Sequence, residues 1–166
     1  MEAMTDVLNK IMNMVFYNHI TGVFLWRKTI TGKIKAGHIC GSFKDGGRFV
    51  IRAGGKRFLA HRLAWAIVYG KWPDGEIDHI DGNPSNNAIS NLRDVTKTIN
   101  MQNRKRATSH NSSGLIGAHY HTKDKRWRAR IVINGVSTYL GSFKTPEEAS
   151  QKYIEAKRKY HDGCTI

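Results

Sequence analysis

Residues 76–103, reading EIDHIDGNPSNNAISNLRDVTKTINMQN, constrain the fold of this chain more than any other stretch. They open on an alternating run, Glu76-Ile77-Asp78-His79-Ile80, which has the period of a half-buried strand. Asp81-Gly82-Asn83-Pro84-Ser85-Asn86-Asn87 then gathers the residue types that make tight polar turns, so the chain reverses there. A second short strand is expected over residues 91–95. Thr96 is placed to cap a helix carrying Ile99, Asn100 and Asn103. Strand, loop, strand, helix predicts a small ββα unit.

That unit gathers groups able to handle a metal and a proton. Asp78 offers a hard carboxylate oxygen, His79 a titratable imidazole and Asn100 a neutral amide oxygen. Neighbouring strand residues face opposite sides. Asp78 and His79 can therefore straddle a site at a twisted strand end, but cannot both point squarely into it. Hard oxygens, completed by water and phosphate oxygens, suit Mg²⁺ or Mn²⁺ better than zinc. A neutral imidazole, with an ordinary pKa of about 6.5, can accept a proton from water near neutral pH. Taken singly, each residue has a plainer reading. His79 alone would be a hydrogen-bonded structural histidine, and Asn100 a phosphate contact without a metal. Only the joint pattern favours chemistry.

At these residues the chain resembles the HNH endonuclease family, in its phage and intron-encoded homing branch. The resemblance rests on Asp78-His79, Asn83, Asn87, Asn91-Leu92-Arg93, Ile99-Asn100 and Asn103. It implies that His79 activates water and that Asp78 and Asn100 hold one divalent metal ion on the scissile phosphate. It also implies that Asn91, the other catalytic position, braces the loop. Relatives whose motif ends in histidine often bind zinc or nickel, whereas Asn100 here favours Mg²⁺ or Mn²⁺. No small-molecule cofactor is implied.

Charge points to the same partner. Up to Asn103 there are 14 basic and 8 acidic residues, and beyond it 13 and 5, so the two parts carry +6 and +8 of the net +14. So basic a surface suits a polyanion, and double-stranded DNA is the expected partner. A membrane is not expected, because no apolar run approaches the roughly 20 residues of a bilayer span and no basic amphipathic helix is present. Residues 1–10 carry acids and no small-residue cleavage site, so a secretory signal is not expected and the cytoplasm of a bacterial host is. Cys40 and Cys164 are too few and too far apart for a zinc ribbon or a disulfide scaffold.

Upstream of the motif, residues 1–14 read as a helix with Val7, Ile11 and Met14 on one face. Residues 16–28 read as a hairpin turning at Thr21-Gly22. Residues 29–42 are glycine-punctuated and basic. Strands are expected over 48–52 and 56–60, joined by Ala53-Gly54-Gly55. Residues 61–69 read as a helix stopped by Gly70 and Pro73; it is apolar on nearly every side, which predicts burial against the ββα unit. His61 and Arg62 recur just upstream of the Asp-His pair in the resembling family, which implies a structural or DNA-backbone role. The resemblance extends over residues 16–103.

Residues 104–114 (RKRATSHNSSG) lack apolar periodicity and read as a linker whose basic start can follow a phosphate backbone. Beyond it, Trp127, Ala129 and Ile131 share one face of an alternating run, with Arg128 and Arg130 on the other. Asn134-Gly135 signals a tight hairpin. A strand over 137–141 follows, and then a helix opened by Thr145, Pro146 and Glu147-Glu148. Its apolar stripe is Ala149, Tyr153, Ala156 and Tyr160. Three strands packed on one helix resemble the AP2 DNA-binding domain, at Gly117, Trp127-Arg128-Ala129, residues 139–143, Glu147-Glu148-Ala149, Tyr153 and Ala156. The resemblance implies a sheet laid in the DNA major groove, with His119, His121, Arg128, Arg130 and Tyr139 facing the DNA. Arg104, Lys105, Arg106, Lys123 and Arg126 complete the expected DNA-binding set.

The fold class expected is therefore α+β. It comprises a nuclease domain over 1–103 with its ββα-metal core at 76–103, a basic linker over 104–114, and an AP2-like domain over 115–163. The function expected is a homing-type DNA endonuclease that nicks one strand as a monomer. A non-catalytic DNA-binding regulator and a nuclease specific for branched DNA or RNA are the alternatives.

Overall fold

The computed structural model describes residues 4–44 and 47–166. The chain is a mixture of short helices and small antiparallel sheets, an α+β fold. It divides into two compact units, Met1–Val95 and Thr96–Ile166. The division falls at Val95, before the capped helix, where the sequence places it after Asn103.

In the first unit, α1 (Met4–Met14) runs directly into β1 (Val15–Tyr17), which pairs antiparallel with β2 (Phe24–Trp26). Residues 1–3 of the expected helix lie outside the described residues. The hairpin turns where Asn18 Oδ1 accepts the backbone N–H groups of Ile20 and Thr21, at 3.0 and 3.1 Å. Gly22 follows with φ +74°, and a Cβ there would stand 2.3 Å from the Ala88 nitrogen. Glycine is thus required by both backbone conformation and close approach.

A sheet of β3 (Ser42–Lys44), β4 (Arg48–Ala53) and β5 (Lys56–Leu59) comes next, with β4 central. The strand β3 sits at the end of a stretch without alternation; pairing with β4 rather than local pattern makes it a strand. Helix α2 (Ala60–Tyr69) ends at Gly70 in the left-handed conformation, whose N–H reaches the Ala66 carbonyl at 3.0 Å. One face of this helix packs in a buried cluster with Ile77 and Leu92 of the ββα unit, as expected, and the other does not. Ala60, Leu63, Ala64 and Ala66 are buried, while Val68 and Tyr69 are 42% and 53% exposed. The sequence shows no polar face because the helix end meets solvent through apolar side chains, which is ordinary for a protein surface.

Strands β6 (Glu76–His79) and β7 (Leu92–Val95) pair antiparallel, with Asp78 opposite Arg93 and His79 opposite Leu92. Each is one residue shorter than expected, since Ile80 opens the loop and Asn91 closes a 3₁₀ turn over Ile89–Asn91. Ile77 and Leu92 join Ile11, Phe24, Ile51 and Leu63 in one buried cluster, which anchors the pair to the rest of the unit. Each such fully buried side chain stabilises by about 1.5–3 kcal/mol.

The second unit opens with α3 (Lys97–Gln102), capped by Thr96, whose hydroxyl accepts the Ile99 N–H at 3.4 Å. The C-terminal tail holds this helix: Gly163 N–H donates to Gln102 Oε1 at 3.0 Å, and the Thr165 hydroxyl donates to Asn103 Oδ1. Residues 104–114 have no regular structure, yet Asn111 Nδ2 donates to the carbonyls of Leu115 and Ala118 at 3.2 and 3.1 Å. Strands β8 (Ala118–His121), β9 (Arg126–Ile133) and β10 (Val136–Phe143) form an antiparallel sheet with β9 central. Asn134 and Gly135 both have positive φ, +49° and +81°, as a tight hairpin turn with right-handed twist requires.

Helix α4 (Pro146–Tyr160) opens with a complete capping box between Thr145 and Glu148. It packs on a core of fully buried alanines, Ala118, Ala129 and Ala149, walled by Trp127, Leu140, Phe143 and Tyr153. The expected apolar stripe is corrected at its end: Tyr160 is 45% exposed, and the fully buried side chain there is Lys157. Its ammonium donates to the Arg104 carbonyl, which satisfies the buried nitrogen. Burial holds the Lys157 pKa below its ordinary value. No described helix is long and apolar enough to cross a membrane.

Candidate active site

The β6–β7 pair alternates as strands must, so Asp78 and Arg93 share one face, and His79 and Leu92 the other. Asp78 is buried, and its Oδ2 receives both Nε and Nη2 of Arg93 at 2.8 Å. A buried carboxylate is costly unless paired, and this guanidinium supplies the pairing.

His79 stands at the end of β6, half-buried. Its Nε2 lies 3.3 Å from Asn87 Oδ1. The ring of His61, from the first turn of α2, meets it edge-on with centroids 5.2 Å apart and planes at 81°. Burial, then the proximity of His79, Arg62 and Arg48, pushes the His61 pKa down to about 4. His61 is therefore a neutral ring that packs against His79 at ordinary pH. Arg62 serves the scaffold, donating to the carbonyls of Gly75 and Pro73 at 2.8 and 3.2 Å.

The loop between the strands is closed by its own side chains. Asn91 Nδ2 donates to Asp81 Oδ1 at 3.0 Å and to the Asn86 carbonyl at 2.9 Å, while its Oδ1 accepts the Asp81 N–H at 3.0 Å. Asp81 also accepts from the Asn83 N–H at 2.7 Å and from Asn86 Nδ2 at 2.8 Å. Partial burial pushes the Asp81 pKa up, but the hydrogen bonds from Asn83, Asn86 and Asn91, with His79 nearby, bring it below the usual carboxylate value. Asp94 fixes the other end, accepting the N–H groups of Asp74 and Gly75, each at 2.8 Å. Asn100, the remaining residue singled out, lies on α3 in the second unit.

Residues 58–102 match the family model for the HNH endonuclease. That segment is what the chain shares with the HNH endonuclease family. Over 76 residues, 45% of this chain and 62% of the relative, it is 40% identical to Protein 3.8 of Escherichia phage T7. Over 98 residues, 58% of this chain and 51% of the relative, it is 39% identical to DNA endonuclease I-HmuI of Bacillus phage SP01. It thus spans half to three fifths of the length of these relatives. A solved structure of DNA binding and cleavage by the HNH homing endonuclease I-HmuI aligns over 90% of this chain and 88% of that chain, at 22% identity and a TM-score of 0.41.

HNH nucleases generally use a divalent metal ion. Among the described residues no three His, Cys, Asp or Glu side chains converge. A carboxylate such as that of Asp78 is the kind of hard donor an oxygen-loving cation uses when water and substrate phosphate fill most of its shell. Sequence reasoning missed two neighbours within the matched segment. Arg93 as the partner of Asp78 follows from strand register, and His61 against His79 from the packing of α2; neither contact leaves a local sequence signal.

In the second unit, the sheet face away from α4 carries His119, His121, Arg126, Arg128 and Arg130 in register, His119 opposite Arg128 and His121 opposite Arg126. Tyr139 pairs with Arg130, whose guanidinium lies 5.9 Å from its ring. Arg104, Arg106, His119, Lys123, Arg126, Arg130 and Tyr139 are exposed, while Arg128 and His121 are half-buried. Asp124, in the β8–β9 turn, contacts Arg128 and lies 3.2 Å from His121 Nδ1. Lys105 Nζ donates to the Thr165 carbonyl at 3.3 Å, which turns part of its donor capacity inward.

Proposed function

We propose that this protein is a homing-type DNA endonuclease that hydrolyses phosphodiester bonds by a one-metal HNH mechanism. The observation that carries the reading is His79 at the strand end, held at Nε2 by Asn87 and packed by His61, within the segment that matches the family. A neutral His79 accepts the proton of a water whose oxygen forms the new bond to phosphorus; the bond to the departing 3′ oxygen breaks. Asp78 and Asn100 are the protein ligands assigned to the metal, Mg²⁺ or Mn²⁺. When bound, such an ion supplies positive charge at the scissile phosphate. Arg93 holds Asp78 in its orientation, and Asn91 keeps the loop closed so that the His79 end of the strand does not drift.

The AP2-like sheet face carries the grip on double-stranded DNA through His119, His121, Lys123, Arg126, Arg128, Arg130 and Tyr139, with Arg104, Lys105 and Arg106 following the backbone. A polar anchor of this kind fits a monomer that breaks one strand first. The test is supercoiled plasmid with Mg²⁺ and an EDTA control, alongside light scattering. A nicked circle preceding linear product, made by a monomer and lost in His79→Ala with DNA affinity retained, is the expected result. Wild-type cutting by His79→Ala would refute the assignment of the base.

A further inference from the structure

Asn87 is 3% exposed, and three of its polar groups have defined partners. Its Oδ1 lies 3.3 Å from His79 Nε2, its Nδ2 donates to the Ser85 carbonyl at 3.3 Å, and its own carbonyl accepts the Tyr17 hydroxyl at 2.7 Å. An amide nitrogen only donates and an amide oxygen only accepts. Donation to Ser85 therefore fixes oxygen as the atom turned toward the imidazole, and Nε2 must bear the hydrogen. The lone pair is then left on Nδ1.

The clamp behind Asn87 is the β1–β2 hairpin. Tyr17 is stacked on Phe24 with centroids 4.5 Å apart, and burial pushes its pKa up to about 12, so its hydroxyl stays a donor. Beside it, the Ile89 N–H donates to the His19 carbonyl at 3.0 Å, and Gly22 lies against the backbone of Asn87 and Ala88 with no room for a Cβ. We propose that Asn87 is a positioning residue that sets the tautomer of His79, and that the β1–β2 hairpin holds it in register. This rests on reading His79 as the base, since only the Nε2–H tautomer leaves Nδ1 able to take a proton from water. A fixed tautomer matters because the wrong one presents a hydrogen where a lone pair is needed.

The experiment uses the full chain with ¹⁵N-labelled histidine at pH 9, well above the ordinary imidazole pKa of about 6.5, so that the ring is neutral. The chain has eight histidines, and the signals of His79 are those lost in His79→Gln. Long-range ¹H–¹⁵N spectra give the tautomer without any reference to cleavage. Wild type should show Nε2–H. Asn87→Leu should show a tautomer mixture, with kcat lowered about 10- to 100-fold and KM for DNA unchanged, the loss typical of removing a histidine's orienting partner. Asn87→Asp, which keeps an acceptor oxygen, should retain the Nε2–H signature. Tyr17→Phe should shift the tautomer in the same direction by less, and it carries the test if Asn87→Leu does not fold. An Nδ1–H ring in wild type, an unchanged tautomer in both Asn87→Leu and Tyr17→Phe, or Asn87→Asp behaving like the leucine variant would overturn the proposal. Full cleavage by His79→Gln would remove the catalytic reading while leaving the tautomer result to stand alone.

Discussion

The loop that joins β6 to β7 and the outer sheet face of the second unit are both rich in polar residues, and they spend them in opposite ways. In the loop, Asp81, Asn83, Asn86, Asn87 and Asn91 bond chiefly to one another and to nearby backbone. On the sheet, His119, Arg126 and Arg130 project outward, while Asp124 contacts their neighbours Arg128 and His121. Polar groups bonded among themselves give fixed geometry, which the chemistry proposed at His79 demands. Cations left in water keep their charge available to a polyanion, at little cost in stability. Substitutions in the two regions should therefore fail differently: the first in rate and folding, the second in affinity and salt dependence.

The largest effect is expected from Asn91→Ala. It removes the donors to Asp81 and to the Asn86 carbonyl, and the acceptor for the Asp81 N–H. Partly buried groups left without partners cost about 1–3 kcal/mol. Cleavage should fall by about 100-fold or more, the scale of a mispositioned base, with a lower melting temperature. DNA affinity at fixed salt should stay close to wild type. A variant that loses affinity but keeps its rate would erase the contrast.

Acid should weaken the first unit through His61. Its folded pKa of about 4 lies below the ordinary 6.5, set by burial and by His79, Arg62 and Arg48 around it. Between those values the unfolded chain binds a proton that the folded chain does not. Stability is thus full above about pH 6.5, falls as pH drops toward about 4, and loses nothing further from this group below that. Melting curves across the window, compared with His61→Phe, check it. An equal slope in both proteins would remove His61 as the cause.

Smaller still, and on the other side of the contrast, is Arg130→Ala. Its guanidinium lies over Tyr139 on the exposed face. Loss of one phosphate contact should reduce the slope of log affinity against log salt by about 0.9, with the melting temperature unmoved. A drop in melting temperature without a change of slope would place Arg130 in the scaffold instead.

Local chemistry made much of this legible. Asn134-Gly135, the Thr96 cap and the Thr145–Glu148 capping box are written in neighbouring residues, and each formed as the residue types require. The Asp78-His79 pair was visible for the same reason. Contacts between residues distant in sequence were not. Arg93 meets Asp78 through strand register, His61 reaches His79 through the packing of α2, and β3 exists only because β4 is beside it. Lys157 is the sharpest case. A lysine in the last turn of a helix reads as solvated, and only the Arg104 carbonyl, brought close by the fold of the second unit, makes its burial affordable.

The smallest effect is expected from Asp124→Asn, and it probes a place where the sheet face answers its own cations. Asp124 is itself exposed, with its carboxylate against Arg128 and 3.2 Å from His121 Nδ1. Exposed pairs of this kind contribute about 0.2–1 kcal/mol. Removing the charge should leave the fold intact and free Arg128 for phosphate. It also takes a negative charge away from the surface proposed to meet DNA. Affinity should then rise, by about 1.4- to 5-fold if the whole pair energy is released to the DNA. The salt slope should steepen by up to about one contact's worth, near 0.9. Fluorescence anisotropy of a labelled duplex over a salt series would read both quantities. Weaker binding by Asp124→Asn would mean that the carboxylate orients Arg128 toward DNA rather than competing with it, and the sheet face would then share the loop's strategy of polar groups held by polar groups.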